Sequence, residues 1–124
     1  MQFNNNGQAI YLQIADYVCD KIQLKVWLAD QKIPSVRELA VMLEVNPNTV
    51  ARSYEYLQNQ EIIYTKRGMG YFAQVNAAQN ILKTRQTQFM EEELPLLIKK
   101  MQLLSIPVQE LQAQYQKFIN NLIS

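Results

Sequence analysis

Apolar residues recur at every fourth position near the start of the chain: Ile10, Ile14, Val18 and Ile22, with Tyr11 and Tyr17 flanking the stripe. Asp16, Asp20, Lys21 and Lys25 fall outside it. That spacing predicts one amphipathic helix over 9–28. A connection, Ala29–Pro34, follows. Ser35-Val36-Arg37-Glu38 then fits a capping box: the serine hydroxyl accepts from the N–H three residues on, and the glutamate reaches back. Val36, Leu39, Ala40 and Leu43 supply the inner face of a short helix. It must stop at Glu44-Val45-Asn46-Pro47, because the residue before a proline is driven out of the helical region. The same Pro47 opens the next helix, with Asn46 as its N-cap. Val50, Tyr54 and Leu57 mark the buried side of that helix, which should end near Asn59.

Two short helices joined by a tight turn describe a helix-turn-helix, although any small helical hairpin shares that outline. The next segment narrows the choice. Ile62-Ile63-Tyr64-Thr65 and Tyr71-Phe72-Ala73-Gln74-Val75 are rich in β-branched and aromatic residues, so strand-like. Between them Lys66-Arg67-Gly68-Met69-Gly70 reads as a turn. Three helices followed by a hairpin with a basic, glycine-bearing tip make a winged helix. The expected fold is mainly α with a small β-hairpin wing.

After Asn76 the strand signal disappears and helix-favouring residues continue to Leu104. Pro95, preceded by Glu91-Glu92-Glu93, should cap or kink this stretch. Ser105-Ile106-Pro107 breaks the chain again. Val108, Leu111, Tyr115, Phe118, Ile119 and Leu122 then outline a last amphipathic helix over 108–123. The expected organisation is a winged helix-turn-helix DNA-binding domain, 1–76, with a two-helix dimerisation tail, 77–124.

Composition limits the chemistry. The 124 residues, 48% of them apolar, suit one small domain with an appended oligomerisation element. The single cysteine, Cys19, and the absence of histidine exclude an internal disulfide, a Cys/His zinc site and histidine-based catalysis. No enzyme, metal or cofactor is expected. Glu91–Glu93 are adjacent on a helix and point in different directions. No apolar run approaches the roughly 20 residues a bilayer span needs. Met1–Gly7 lacks the pattern of a signal peptide. A cytoplasmic protein with no membrane partner is therefore expected. The net charge is only +1, so attraction to nucleic acid must come from a few placed cations and from neutral hydrogen-bonding groups.

Those groups are present at the right places. The first turn of a recognition helix meets base edges in the major groove. Asn46, Asn48 and Thr49 occupy that turn here. Asparagine can pair with adenine, and a threonine methyl can touch a thymine methyl. Asn46 has a competing role as a cap. Arg52 lies one turn further on. Ser35 and Arg37 begin the preceding helix, where a hydroxyl and a cation can hold the phosphate backbone. Lys66, Arg67 and Gly68 stand at the wing tip, where cations can enter a minor groove. The acidic residues Glu55 and Glu61 lie late in the third helix and beyond it, which should leave the basic face clear. In the tail, Phe89, Leu94, Leu97, Ile98, Met101, Leu103 and Leu104 call for a partner surface. A symmetric dimer reading two half-sites answers that need; packing onto the winged domain and a small-molecule pocket are the alternatives.

Four stretches together resemble the GntR family of bacterial regulators. They are Ala9-Ile10-Tyr11-Leu12-Gln13-Ile14; Ile33-Pro34-Ser35-Val36-Arg37-Glu38-Leu39-Ala40; Val45-Asn46-Pro47-Asn48-Thr49-Val50 with Arg52, Tyr54 and Leu57; and Arg67-Gly68-Met69-Gly70-Tyr71-Phe72. The likeness covers 9–75, and the short tail looks like the YtrA-like branch of that family. The resemblance implies a homodimeric repressor of a palindromic DNA operator, often beside transporter genes, with DNA contacts at Ser35, Arg37, Asn48, Thr49, Arg52 and Gly68. It names no small-molecule effector. Family members usually carry glycines where Lys25 and Asp30 stand here, and often an arginine at the position of Ala51. A winged-helix module that binds protein rather than DNA is the competing reading, and the near-neutral charge is its support.

Overall fold

The first apolar stripe forms helix α1, Ile10–Gln23, which buries Ile14, Ala15, Val18, Cys19 and Ile22. The structure is a computed structural model and describes residues 7–123. Helix α1 stops short of the expected 28. At its end the N–H of Val26 donates to the carbonyl of Lys21 (2.9 Å), and that of Lys25 to the carbonyl of Ile22 (3.1 Å). This is a Schellman closure, and it requires a left-handed residue at Lys25, whose φ is +63°. Glycine is the usual occupant because a Cβ is crowded there. Asp30, the second position at which the resemblance implies glycine, also has positive φ, +57°. Its carboxylate accepts from the Tyr64 hydroxyl at 2.9 Å, a bond glycine could not make. Among the described residues Lys25 gains no such bond, so Lys25→Gly should stabilise the fold by about 0.5–1 kcal/mol. Thermal unfolding should show a midpoint a few degrees higher, and no rise would mean that the left-handed lysine is unstrained.

Helix α2 spans Val36–Leu43 and helix α3 spans Pro47–Asn59. Both start as expected: Ser35 and Glu38 complete a reciprocal capping box, and Asn46 caps α3 with Pro47 in its first turn. Strands β1, Ile63–Lys66, and β2, Gly70–Ala73, pair antiparallel with Lys66 opposite Gly70 and Ile63 opposite Ala73. The connection before α2 adds to this hairpin. Lys32 bridges Phe72, and the N–H of Ile33 donates to the carbonyl of Tyr71 at 2.9 Å. The wing is therefore hydrogen-bonded on its β2 side to the segment that leads into α2.

Contacts divide the chain into two compact units, one ending at Thr84 and one beginning at Arg85. In the first, α1, α2, α3 and the hairpin close on a core that includes Ile14, Val18, Leu39, Val50, Tyr54, Leu57 and Ile63. Ala77 and Ile81, from the start of helix α4 (Ala77–Gln88), join that core. Tyr54 is fully buried, and its hydroxyl donates to the Pro34 carbonyl at 2.6 Å. Burial pushes the Tyr54 phenol far up, with Tyr71 and Glu38 adding to the effect.

In the second unit a π-helical segment, Phe89–Glu93, leads into helix α5, Leu94–Leu103, and helix α6 follows at Val108–Ile123. Pro95 falls in the first turn of α5, directly after the π-helical segment, and does not end the helical stretch. A proline has no N–H to donate, and its ring clashes with the carbonyl four residues back. Widening the preceding turn is one way to absorb both defects. Neither α5 nor α6 contains a buried residue.

Candidate nucleic-acid interface

The start of α2 is rigid because its cap is closed twice. The Glu38 N–H donates to Ser35 Oγ (3.1 Å), and the Ser35 N–H donates to Glu38 Oε1 (2.9 Å). Hydrogen bonding to the Glu38 carboxyl from the Ser35 backbone foremost, and then from the Ser35 side chain, holds it below its usual range. Ser35 is half-buried, whereas Arg37 projects from the first turn and is exposed.

Helix α3 divides cleanly. Val50, Ser53, Tyr54 and Leu57 are buried, while Asn46, Pro47, Asn48, Ala51, Arg52 and Glu55 are exposed and Thr49 is half-buried. Asn46 Oδ1 accepts from the Asn48 N–H at 2.8 Å, so the oxygen of Asn46 is engaged in capping. Among the described residues nothing engages the side-chain amide of Asn48. The buried Ser53 hydroxyl bonds both the Tyr11 carbonyl (2.6 Å) and the Thr49 carbonyl (3.0 Å), joining α3 to the first turn of α1. Arg52 does not extend freely: its guanidinium lies over the Tyr11 ring, 3.9 Å from the centroid. Glu55 lines the same crevice as Arg52, together with Tyr11, Tyr56 and Asn59. The acidic side chain thus stands beside the recognition face, against the segregation expected from the sequence, because positions 52 and 55 are helical neighbours.

At the wing tip the Met69 N–H donates to the Lys66 carbonyl (2.9 Å), and Gly68 supplies a φ of +75°, as the third residue of a type II turn must. Lys66 rests its ammonium 4.7 Å over the Phe72 ring, and Arg67 is exposed. Directly opposed residues share a face in an antiparallel pair, so Lys32, Phe72 and Tyr64 lie on one side of the wing. Phe72 and Tyr64 stack there at 5.7 Å. The Lys32 side chain crosses Gly70, its Cε lying 3.1 Å from where a Cβ would stand.

Lys32 and Tyr11 are the residues that reading along the chain did not single out. Lys32 sits in a connection with no strand pattern of its own, and Tyr11 read as the flank of a core stripe. Both acquire their neighbours through pairings distant in sequence.

A three-helix unit with a basic glycine wing is a known architecture, and comparison bears this out. Residues 10–72 match the model for bacterial regulatory proteins of the gntR family. The chain is 36% identical over 106 residues to the HTH-type transcriptional regulator YhcF of Bacillus subtilis, covering 86% of each protein. It is 35% identical over 89 residues to the HTH-type transcriptional repressor YtrA of the same organism, covering 72% of this chain and 68% of YtrA. A GntR-family transcriptional regulator from Bacteroides thetaiotaomicron superposes with a TM-score of 0.81 at 46% identity, over 92% of this chain and 99% of that one. The DNA-binding domain of AraR, solved in complex with operator ORX1, superposes with a TM-score of 0.53 at 27% identity, over 59% of this chain and 90% of that one. The chain belongs to the GntR family of bacterial regulatory proteins, as a DNA-binding transcriptional regulator of the winged helix-turn-helix type.

Proposed function

We propose that this regulator represses transcription by binding a palindromic operator in double-stranded DNA as a homodimer. Helix α3 enters the major groove, the start of α2 lies on the phosphate backbone, and the wing meets the neighbouring minor groove. The observation that carries this reading is the first turn of α3. Asn46 is spent on the cap, so the exposed amide of Asn48 remains to pair with a base, adenine above all. Thr49 offers its methyl to thymine, and Arg52 reaches phosphate or a base edge. Ser35 and Arg37 hold phosphate, as do Lys66 and Arg67, with Gly68 allowing close approach. Lys32 adds a cation at the base of the wing.

In this proposal residues 1–76 form the DNA-binding domain and 77–124 the dimerisation tail, whose first helix is seated on the winged core through Ala77 and Ile81. Repression is supported by the likeness to YtrA, which is a repressor. We assign the chain to the cytoplasm and give it no catalytic role; no helix among the described residues is long and apolar enough to cross a membrane.

The test begins with duplexes selected by the purified protein from a randomised pool, followed by mobility-shift titrations at several salt concentrations. Arg37→Ala and Lys32→Ala should weaken binding to every duplex and each lower the salt slope by about one. Asn48→Ala should instead lose roughly 1–3 kcal/mol of discrimination at one base pair. If no sequence is enriched and the protein is not retained on DNA at low salt, the reading fails in favour of a protein-binding module.

A further inference from the structure

We propose that Tyr11, on α1, is a positioning residue for DNA binding, its ring being the platform that holds the Arg52 guanidinium ready for a phosphate or base edge. The inference rests on the assignment of Arg52 to the DNA contact made above.

Three observations converge on this pair. The guanidinium carbon lies 3.9 Å from the Tyr11 ring centroid, well inside the range of a cation–π contact. The platform is itself braced: Tyr56, one turn beyond Arg52 on α3, meets the Tyr11 ring edge-on at 6.3 Å. The backbone beneath is fixed as well, because the fully buried Ser53 hydroxyl donates to the Tyr11 carbonyl at 2.6 Å. Both partners of the contact are thus tied to the packing of α1 on α3, which restrains the ring beside the arginine.

The chemistry of the stack suits a DNA contact. Stacking occupies a face of the guanidinium and leaves its five N–H donors, which lie in the plane, available to an acceptor. Glu55 lines the same crevice, yet among the described residues no carboxylate pairs with Arg52. A phosphate would have to displace a carboxylate before binding, whereas it can join an arginine already resting on a ring. The ring also restricts the rotamers of a long side chain before DNA arrives, so less freedom is lost on binding.

The test uses the full chain and a duplex selected by the unmodified protein. Tyr11→Leu, which keeps an apolar side chain but no ring face, should weaken binding about five- to tenfold. Tyr11→Phe should stay within about twofold of the parent, because the ring and not the hydroxyl acts. In the Arg52→Ala background, adding Tyr11→Leu should change affinity by less than about twofold. Arg52→Lys keeps the charge without the planar stack, and should likewise be insensitive to Tyr11. A thermal melt confirms folding, and Tyr11→Met repeats the measurement if Tyr11→Leu has lost its transition. Equal loss in Tyr11→Phe and Tyr11→Leu, or additive losses from Tyr11→Leu and Arg52→Ala, overturns the inference while leaving Arg52 at the DNA. An Arg52→Ala protein that binds like the parent overturns both.

Discussion

Placing aspartate at Leu111 and Phe118 together is expected to yield a monomer whose affinity for the operator falls on the order of 10²- to 10⁴-fold. The reasoning starts from helix α6. Leu111, Tyr115, Phe118 and Leu122 recur at helical spacing, and the last three are each more than 60% exposed. No residue of α5 or α6 is buried, although Leu96, Leu97, Ile98, Leu103 and Leu104 are also apolar and uncovered. A chain in water rarely leaves so much apolar surface uncovered unless it is an interface. A second copy of the tail is the partner we propose, because a two-fold dimer carries two recognition helices to two half-sites. Holding the second half-site nearby makes its engagement intramolecular, and this advantage vanishes in the monomer. Sedimentation velocity and mobility shift on the same samples decide the matter. A double variant that still sediments as a dimer removes the tail from the interface.

The second large effect concerns stability. Tyr54→Ala should destabilise the winged unit by about 3–5 kcal/mol, the usual loss for an aromatic ring deleted from a core. That is much of the 5–15 kcal/mol that typically holds a domain together. Tyr54 is fully buried and meets Tyr71 edge-on at 4.8 Å. Tyr54→Phe isolates the hydroxyl. The Pro34 carbonyl then loses the donor it held at 2.6 Å, at a cost of roughly 1–3 kcal/mol. Urea denaturation of both variants separates ring from hydroxyl. The loss should reach function, since Pro34 immediately precedes the Ser35 cap and Arg37, so the same bond ties α3 to the start of α2. An unchanged midpoint in Tyr54→Phe would mean that water replaces the bond without penalty.

Much of the recognition unit was legible because its signals are local. Ser35 and Glu38 bond each other across one turn, Asn46 and Pro47 act on adjacent residues, and Gly68 answers a turn's demand for positive φ. Each needs only neighbours in sequence, so pattern and chemistry suffice. The end of α1 was not legible for a corresponding reason. Lys25 adopts a conformation that glycine normally signals, and the apolar run Val26-Trp27-Leu28 imitates a continuing helix. Trp27 instead turns to meet Tyr17 edge-on at 6.2 Å. Pro95 was legible as a disturbance but not as a π-helical segment, since both a kink and a widened turn relieve the same clash.

The sequence by itself determined the starts of α2, α3 and α6, the hairpin and the candidate DNA-contacting residues, because caps, turns and apolar periods are short-range physics. Only the tertiary structure decided how those residues are held. Tyr11 and Arg52 lie far apart in sequence and meet through the packing of α1 on α3. Lys32 meets Gly70 and Phe72 through a bridge between a patternless connection and the wing. Such neighbours follow from how apolar faces close on one another, and no window along the chain contains both members of the pair.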